Sequence, residues 1–246
     1  MLVVLLPGTG EPAETWGPIA DALAAEGYQV RTPDLPGSGT RADAPGPHSV
    51  DSLADEVAAT LDGEPVHLVG YSLGGYVAEE LARHHPARVR TLALLGSAGR
   101  STAYGRLRAA AALEVDPPPR PVEVVDLLTE LLSRRQLQED DALVERAAGA
   151  FGSGEQWQGP GRLGQLRASV DWFARPDPLG LLARIQVPTL LMAFSDDIWH
   201  PPARVREAAA AMSRATYVEL EDCGHGGPVL RSAEVAEHLV AFFGTN

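Results

Sequence analysis

The segment that most constrains the fold is the pentapeptide Gly-x-Ser-x-Gly at residues 70–74. An apolar run precedes it and predicts a buried strand, whereas residues 76–82 predict a helix. A strand that turns sharply into a helix forces strained backbone angles on the residue at the apex, Ser72. Gly70 and Gly74 suit such a turn, because a Cβ at either position would collide with the strand or the helix. The pattern predicts a serine nucleophile at the N-terminus of a helix; the alternative is a glycine-rich turn whose serine only caps the helix.

Apolar runs alternate with amphipathic segments over much of the chain. The predicted strands span 2–6, 28–33, 66–69, 89–95, 187–194 and 216–220. The other predicted helices of this part span 14–26, 49–61, 203–212 and 232–243. Strands that alternate with helices imply an α/β fold with a mostly parallel sheet and helices on both faces.

Residues 98–185 break this alternation, because they contain helical patterns and no convincing strand. The patterns cover 107–113, 122–132, 140–151 and 163–173, with proline and glycine between them. An unstructured loop of this length would be improbable, so the sequence predicts a helical insertion. We therefore expect a core formed by residues 1–97 and 186–246.

The composition restricts the partners of the chain. A formal net charge of −13 over 246 residues argues against nucleic acid or an anionic membrane as partner, since both are polyanions. The single cysteine, Cys223, excludes an internal disulfide and permits a reducing compartment. The apolar start at 2–6 is too short for the core of a secretory signal, and no stretch approaches the ~20 apolar residues of a membrane span. We expect a cytoplasmic enzyme whose partner is a small-molecule substrate.

A serine nucleophile needs a general base, and the base needs a carboxylate that orients it. In a fold of this type the three groups follow the chain order serine, acid, histidine. The loop after the fifth predicted strand offers Asp196 and Asp197, and the loop after the sixth offers His225 between two glycines. Because ligands bind at the carboxyl ends of parallel strands, these residues are expected to meet Ser72. The alternative for His225 is an ordinary histidine in a glycine-rich loop.

With these motifs together, the chain resembles the α/β-hydrolase superfamily. The resemblance is carried by Gly-Tyr-Ser-Leu-Gly-Gly at 70–75, Asp-Leu-Pro-Gly-Ser-Gly at 34–39, Asp196-Asp197 before Pro201-Pro202, and Gly224-His225. In that family the insertion is a cap over the active site and holds much of the substrate selectivity. The chain begins at what is normally the family's third strand, which is similar to the short core of plant methylesterases, hydroxynitrile lyases and some menaquinone-pathway lyases. The resemblance therefore implies about six parallel strands.

The resemblance also assigns roles within the site. The family's usual acid lies about four residues before the proline of its loop, which corresponds to Asp197 and leaves Asp196 a structural residue. An oxyanion hole needs two backbone N–H groups, and the resemblance gives these to Leu73 and Thr9. The family usually has His-Gly before the second donor, whereas this chain has Pro7-Gly8. We therefore expect the two backbone donors without the imidazole that often braces this loop.

Several other side chains have two interpretations. Trp16 is expected to pack in the core beside the oxyanion loop, Tyr71 to form a wall of the pocket, and Cys223 to be an inert filler. Trp199 and His200 belong either to the pocket lining or to the loop surface. The apolar positions of the insertion form either its own core, which we favour, or the roof of the pocket. They are Leu107, Leu113, Leu127, Leu131, Phe151, Trp157, Trp172 and Phe173.

The sequence predicts acyl transfer to water, by a serine hydrolase acting on an ester or thioester of a small, largely apolar molecule. It predicts no metal and no cofactor, because it has no metal-ligand spacing and Gly8-Thr9-Gly10 lacks the remainder of a dinucleotide fingerprint. By the resemblance, serine at the elbow argues against epoxide and haloalkane hydrolases, which have aspartate there. Two alternatives stay open: a lyase, cyclase or transacylase with the same site, and a relative that binds a small ligand without catalysis.

Overall fold

The computed structural model describes residues 1–115, 119–153 and 160–246. The strands are β1 (Leu2–Leu6), β2 (Gln29–Arg31), β3 (Val66–Tyr71), β4 (Val89–Leu95), β5 (Thr189–Phe194) and β6 (Ala215–Leu220). They form one sheet in the order β2-β1-β3-β4-β5-β6, and every neighbouring pair is parallel. The predicted α/β fold with six parallel strands is therefore confirmed. Strand β2 is shorter than predicted, because it ends before Pro33, which has no N–H to donate to the ladder.

Helices cover both faces of the sheet. Those outside the region between β4 and β5 are α1 (Gly17–Ala25), α2 (Val50–Ala59), α3 (Leu73–His84), α10 (Pro202–Ala211), α11 (Gly227–Leu230) and α12 (Ser232–Gly244). Those between β4 and β5 are α4 (Ala103–Ala112), α5 (Pro121–Leu131), α6 (Arg134–Glu139), α7 (Asp141–Ser153), α8 (Gly161–Ala174) and α9 (Pro178–Leu182). None of the helices in the described ranges has the length and apolar character that a membrane span requires.

Strand β1 shows why its sequence is apolar without interruption. Val3 and Leu5 pack in the cluster that includes residues of α1 and α12, whereas Val4 and Leu6 pack in the cluster that includes residues of α2, α3 and α10. Successive side chains of a strand point to opposite faces, so a strand covered on both faces must be apolar at every position.

The region between β4 and β5, with helices α4–α9, is called the helical insertion below. Its apolar positions form a small core around Val124, Leu128 and Leu132. Helices α6, α9 and α11 were not predicted; α6 begins after Ser133, whose Oγ accepts a hydrogen bond from the Gln136 N–H at 3.1 Å. The boundaries of the insertion at residues 98 and 185 stay a prediction.

Candidate active site

The turn between β3 and α3 has the strained geometry that its sequence indicates. Ser72 has φ 51° and ψ −119°, in the left-handed half of backbone space that favours glycine. A Cβ on Gly70 would lie 2.2 Å from the carbonyl oxygen of Gly74, and a Cβ on Gly74 would lie 2.2 Å from that of Leu6. Both glycines are therefore required by close backbone approach. The Ser72 side chain makes no capping hydrogen bond to α3, so its hydroxyl is available for other partners.

Three of the predicted site residues lie within hydrogen-bond distance of one another. His225 Nε2 lies 3.1 Å from Ser72 Oγ, and His225 Nδ1 lies 2.7 Å from Asp197 Oδ2. The contacts join the loops after β3, β5 and β6, at the carboxyl ends of these strands. The structure thus brings the elbow serine, the histidine and one of the two candidate carboxylates into one linear arrangement.

Asp197, rather than Asp196, faces the histidine. Its second oxygen, Oδ1, accepts hydrogen bonds from the backbone N–H groups of Trp199 at 2.8 Å and His200 at 2.9 Å. Burial alone would raise the pKa of Asp197, but the charge and hydrogen bond of His225, together with smaller contributions from His200, hold that pKa below its usual value. Asp196 instead accepts a hydrogen bond from the hydroxyl of the adjacent Ser195 at 3.0 Å.

The backbone of His225 is held from two sides. Its carbonyl accepts a hydrogen bond from the Tyr71 hydroxyl at 2.9 Å, and its N–H donates to the Glu130 carbonyl of α5 at 3.0 Å. Burial alone would lower the pKa of the imidazole, but the charge and hydrogen bond of Asp197 outweigh it, with smaller contributions from Glu11 and Glu130. The pKa of His225 is therefore raised above its usual value, which stabilises the imidazolium form.

The loop after β1 lies beside Ser72. Thr9 lines the same cavity as Ser72, and Leu73 opens α3 directly after the serine. In the described part of the chain, no hydrogen bond occupies the backbone N–H of Thr9 or of Leu73. The two predicted donors are thus free of other hydrogen bonds among the described residues. The Gly8 N–H donates to the Glu11 carboxylate at 3.1 Å, so a side chain of the loop itself supports the loop in place of the missing imidazole.

The site opens on a cavity of about 440 Å³ between the sheet and the helical insertion. Of the apolar insertion positions considered above, Leu127, Leu131, Phe151 and Phe173 line it. Leu107 is 73% exposed and is not among the lining residues, and Trp172 packs against the core cluster that includes residues of α2, α3 and α10. Trp157 lies outside the described residues. The insertion thus has its own core and also forms part of the cavity wall.

Charged side chains also line the cavity, and sequence reasoning missed all of them. Arg108 and Glu130 form an ion pair, and Glu130 accepts a further hydrogen bond from the Trp199 indole at 3.2 Å. Burial, with a smaller contribution from Arg108, lowers the pKa of Arg162 to about 10. Burial raises the pKa of Glu11 to about 7. The position of Glu11, three residues after Gly8, could have indicated a contact with the loop after β1. For Arg108, Glu130 and Arg162 of the insertion, the sequence offers no comparable pattern.

The aromatic residues and the cysteine that the sequence analysis singled out lie either at the cavity wall or in the core. Tyr71, Trp199 and His200 line the cavity, whereas Trp16 and Cys223 are buried in the core. His200 Nε2 lies 2.6 Å from the Tyr76 hydroxyl, and burial lowers the pKa of His200 to about 4, so the ring is neutral near pH 7.

One group of side chains away from the cavity has the composition of a cation site. Among the described residues, ligand atoms of Asp51, Glu80 and His84 lie within 4.8 Å of one another. The Glu80 carboxylate already pairs with Arg83 and with His84, at 2.7 Å for the latter. The Arg83 guanidinium and the His84 ring thus already contact the Glu80 carboxylate, so these contacts explain the arrangement without a cation.

Comparison with known proteins gives one family. A family model described as the alpha/beta hydrolase family matches residues 3–238. The chain is 31% identical over 249 residues to BpoC of Mycobacterium tuberculosis H37Rv, whose name describes a non-heme bromoperoxidase; the match covers 98% of this chain and 93% of BpoC. It is 31% identical over 248 residues to the pimeloyl-[acyl-carrier protein] methyl ester esterase of Neisseria meningitidis serogroup C, covering 98% of this chain and 92% of the esterase.

Solved structures agree with this result. The crystal structure of BpoC matches with a TM-score of 0.89 at 29% identity and covers 99% of this chain and 92% of its own. The enol-lactonase from Burkholderia xenovorans LB400 shares the fold, with a TM-score of 0.80 at 23% identity and coverage of 98% and 90%. Because the family model spans most of the chain and these relatives cover nearly all of it, the chain belongs to the alpha/beta hydrolase family and is an α/β-fold hydrolase.

Proposed function

We propose that this chain is a serine hydrolase that cleaves an ester or thioester of a small, largely apolar molecule. The observation that carries the proposal is the pair of contacts from Asp197 through His225 to Ser72, at 2.7 and 3.1 Å, in the wall of the cavity. The methyl ester esterase from Neisseria meningitidis, at 31% identity, supports an ester as the bond that is cleaved.

In the proposed mechanism, Ser72 Oγ attacks the carbonyl carbon while His225 Nε2 takes the hydroxyl proton. Asp197 accepts the hydrogen bond from His225 Nδ1–H, which fixes the tautomer and stabilises the imidazolium. The backbone N–H groups of Thr9 and Leu73 stabilise the oxyanion of the tetrahedral intermediate. His225 then protonates the leaving group, and a water molecule deprotonated by His225 releases the acid from the acyl-enzyme.

The size and the lining of the cavity support a substrate with a small and mostly apolar acyl group. Its volume of about 440 Å³ lies within the usual range for small-molecule sites, and Leu127, Leu131, Leu166 and Leu230 are among its lining residues. Burial of an acyl chain against such side chains stabilises the complex by about 0.8 kcal/mol per methylene group.

The test is a panel of p-nitrophenyl esters and acyl thioesters of increasing chain length. The wild-type chain is expected to turn over part of the panel, and Ser72→Ala to lose about four orders of magnitude or more in kcat. Ser213→Ala, at an exposed position, is the matched control and should keep full activity. A fluorophosphonate probe should label the wild type and leave Ser72→Ala unlabelled.

The products separate the proposed function from its alternatives. Release of the free acid supports hydrolysis, whereas an eliminated, cyclised or transferred product would indicate a lyase, cyclase or transacylase with the same site. Failure of the probe to label Ser72, together with no turnover of any ester, would indicate a protein that only binds its ligand.

A further inference from the structure

The loop after β1 is held by two side chains, one on each side of Thr9. The Glu11 carboxylate accepts a hydrogen bond from the Gly8 N–H at 3.1 Å, and Gln165 Oε1 accepts one from the Gly10 N–H at 2.7 Å. Because Gly8 and Gly10 are the neighbours of Thr9, these bonds fix the peptide groups that flank the Thr9 N–H. Glu11 belongs to the loop itself, whereas Gln165 belongs to helix α8 of the insertion.

The other end of the Gln165 amide is also bound. Its Nε2 donates to the Pro36 carbonyl at 2.8 Å, with a longer contact of 3.4 Å to Ser38 Oγ. The residue has no solvent exposure. A buried amide with both its donor and its acceptor satisfied resists displacement, because moving it would leave several polar groups without partners.

Helix α8 contacts the same region through its backbone. The Gly161 N–H donates to the Ala42 carbonyl at 3.1 Å, and a Cβ on Gly37 would lie 2.5 Å from the Gly161 carbonyl oxygen. Leu166, the residue after Gln165, lines the cavity. Helix α8 therefore contributes both to the wall of the cavity and to the support of the loop that carries Thr9.

We propose that Gln165 is a positioning residue that couples helix α8 to the loop after β1, so that its hydrogen bond to Gly10 orients the Thr9 N–H towards the developing oxyanion. The inference rests on the proposed function, because it requires Thr9 as an oxyanion donor. Gln165 is not among the residues that line the cavity, so it acts through Gly10.

The first test removes the hydrogen bonds of the amide. Gln165→Met keeps the length of the side chain and loses both its donor and its acceptor, whereas Gln165→Asn keeps the amide and is too short to reach Gly10. Both variants are expected to lower kcat about 10- to 100-fold and to change KM less than about threefold, because an oxyanion interaction is made mainly in the transition state. Arg167→Ala, at an exposed position of the same helix, is the control and should leave kcat unchanged.

The second measurement separates oxyanion positioning from general damage to the fold. A trifluoromethyl ketone whose acyl part matches the best ester forms a tetrahedral adduct with Ser72 that carries an oxyanion. Its inhibition constant should rise in each Gln165 variant by about the same factor as kcat/KM falls. The corresponding secondary alcohol, which forms no adduct, should bind all variants equally.

The outcomes distinguish this inference from the proposed function. Folded Gln165 variants with wild-type kcat and wild-type ketone affinity, alongside an inactive Ser72→Ala, would overturn the coupling and leave the proposed function intact. An active Ser72→Ala would overturn both. If Gln165→Met does not fold, Gln165→Asn decides by the same two measurements.

Discussion

At the scale of single residues, the carboxyl group of Glu11 changes its ionisation state close to neutral pH. Its carboxylate lies at the cavity wall and accepts the hydrogen bond from the Gly8 N–H. Burial raises its pKa to about 7, although the Gly8 hydrogen bond and the charge of His225 act in the opposite direction. Glu11 therefore loses its proton as the pH rises through about 7, and its negative charge then acts on His225.

This shift predicts a pH-dependent stability that Glu11→Gln removes. The pKa is 4.5 in an unperturbed chain and about 7 in the fold. Between these values the folded state holds the proton that the unfolded state has released, so the free energy of unfolding falls as the pH rises. Between pH values below 4.5 and pH values above 7, the stability of Glu11→Gln relative to the wild type should therefore rise by about 3 kcal/mol, measured by urea denaturation.

The control for this prediction is Glu14→Gln, because Glu14 is an exposed glutamate of the same loop region. The stability difference between Glu11→Gln and the wild type should vary with pH more than the difference between Glu14→Gln and the wild type. If the two differences vary with pH to the same extent, the prediction for Glu11 is wrong.

At the scale of elements, helices α3 and α8 are joined by a buried ion pair. Glu79 of α3 pairs with Arg175, which follows α8, and the side chains are only 1% and 12% exposed. The guanidinium of Arg175 also lies over the Trp172 ring, 3.1 Å from its centroid. Burial raises the pKa of Glu79, because removal from water penalises the carboxylate, and the charge and hydrogen bond of Arg175 offset part of this penalty.

Arg175→Ala is therefore expected to destabilise the fold strongly. The substitution leaves the Glu79 carboxylate buried without its partner, and removal of one member of a buried pair costs about 3 kcal/mol or more. Arg100→Ala is the matched control, because the Arg100–Glu207 pair is 48% and 31% exposed and should contribute under about 1 kcal/mol. Urea denaturation of both variants measures the difference, and equal losses would contradict the prediction.

The elements differ in how well sequence alone predicts them. Strand β3, the turn at Ser72 and helix α3 are predictable, because an apolar run, two glycines and a helical pattern occur within one short segment. Helices α6 and α9 span only 6 and 5 residues, too few for a hydrophobic period to be recognised. They form because capping groups and packing against longer helices stabilise them, and this packing cannot be read from a short window of sequence.

At the scale of the whole molecule, the limit of prediction is set by contacts between distant parts of the chain. The strand ends that carry Ser72, Asp197 and His225 must meet at one edge of a parallel sheet, so their arrangement is implied once the strands are recognised. The bond from Gln165 to Gly10 joins residues 155 positions apart, on a helix whose docking no local pattern specifies. The insertion therefore supplies site residues that the sequence did not predict, including Glu130 and Arg108.

Because the insertion and the core enclose the cavity together, the insertion should control which acyl chains are accepted. Leu127 of α5 lines the cavity, so Leu127→Trp fills part of it. The ratio of kcat/KM for p-nitrophenyl octanoate to that for the acetate should fall by about 10-fold or more, because the longer chain loses its space while the acetyl group keeps it. Leu107→Trp is the control, since Leu107 is 73% exposed on the same insertion. An unchanged ratio in Leu127→Trp, with the melting temperature preserved, would show that the acyl chain binds elsewhere.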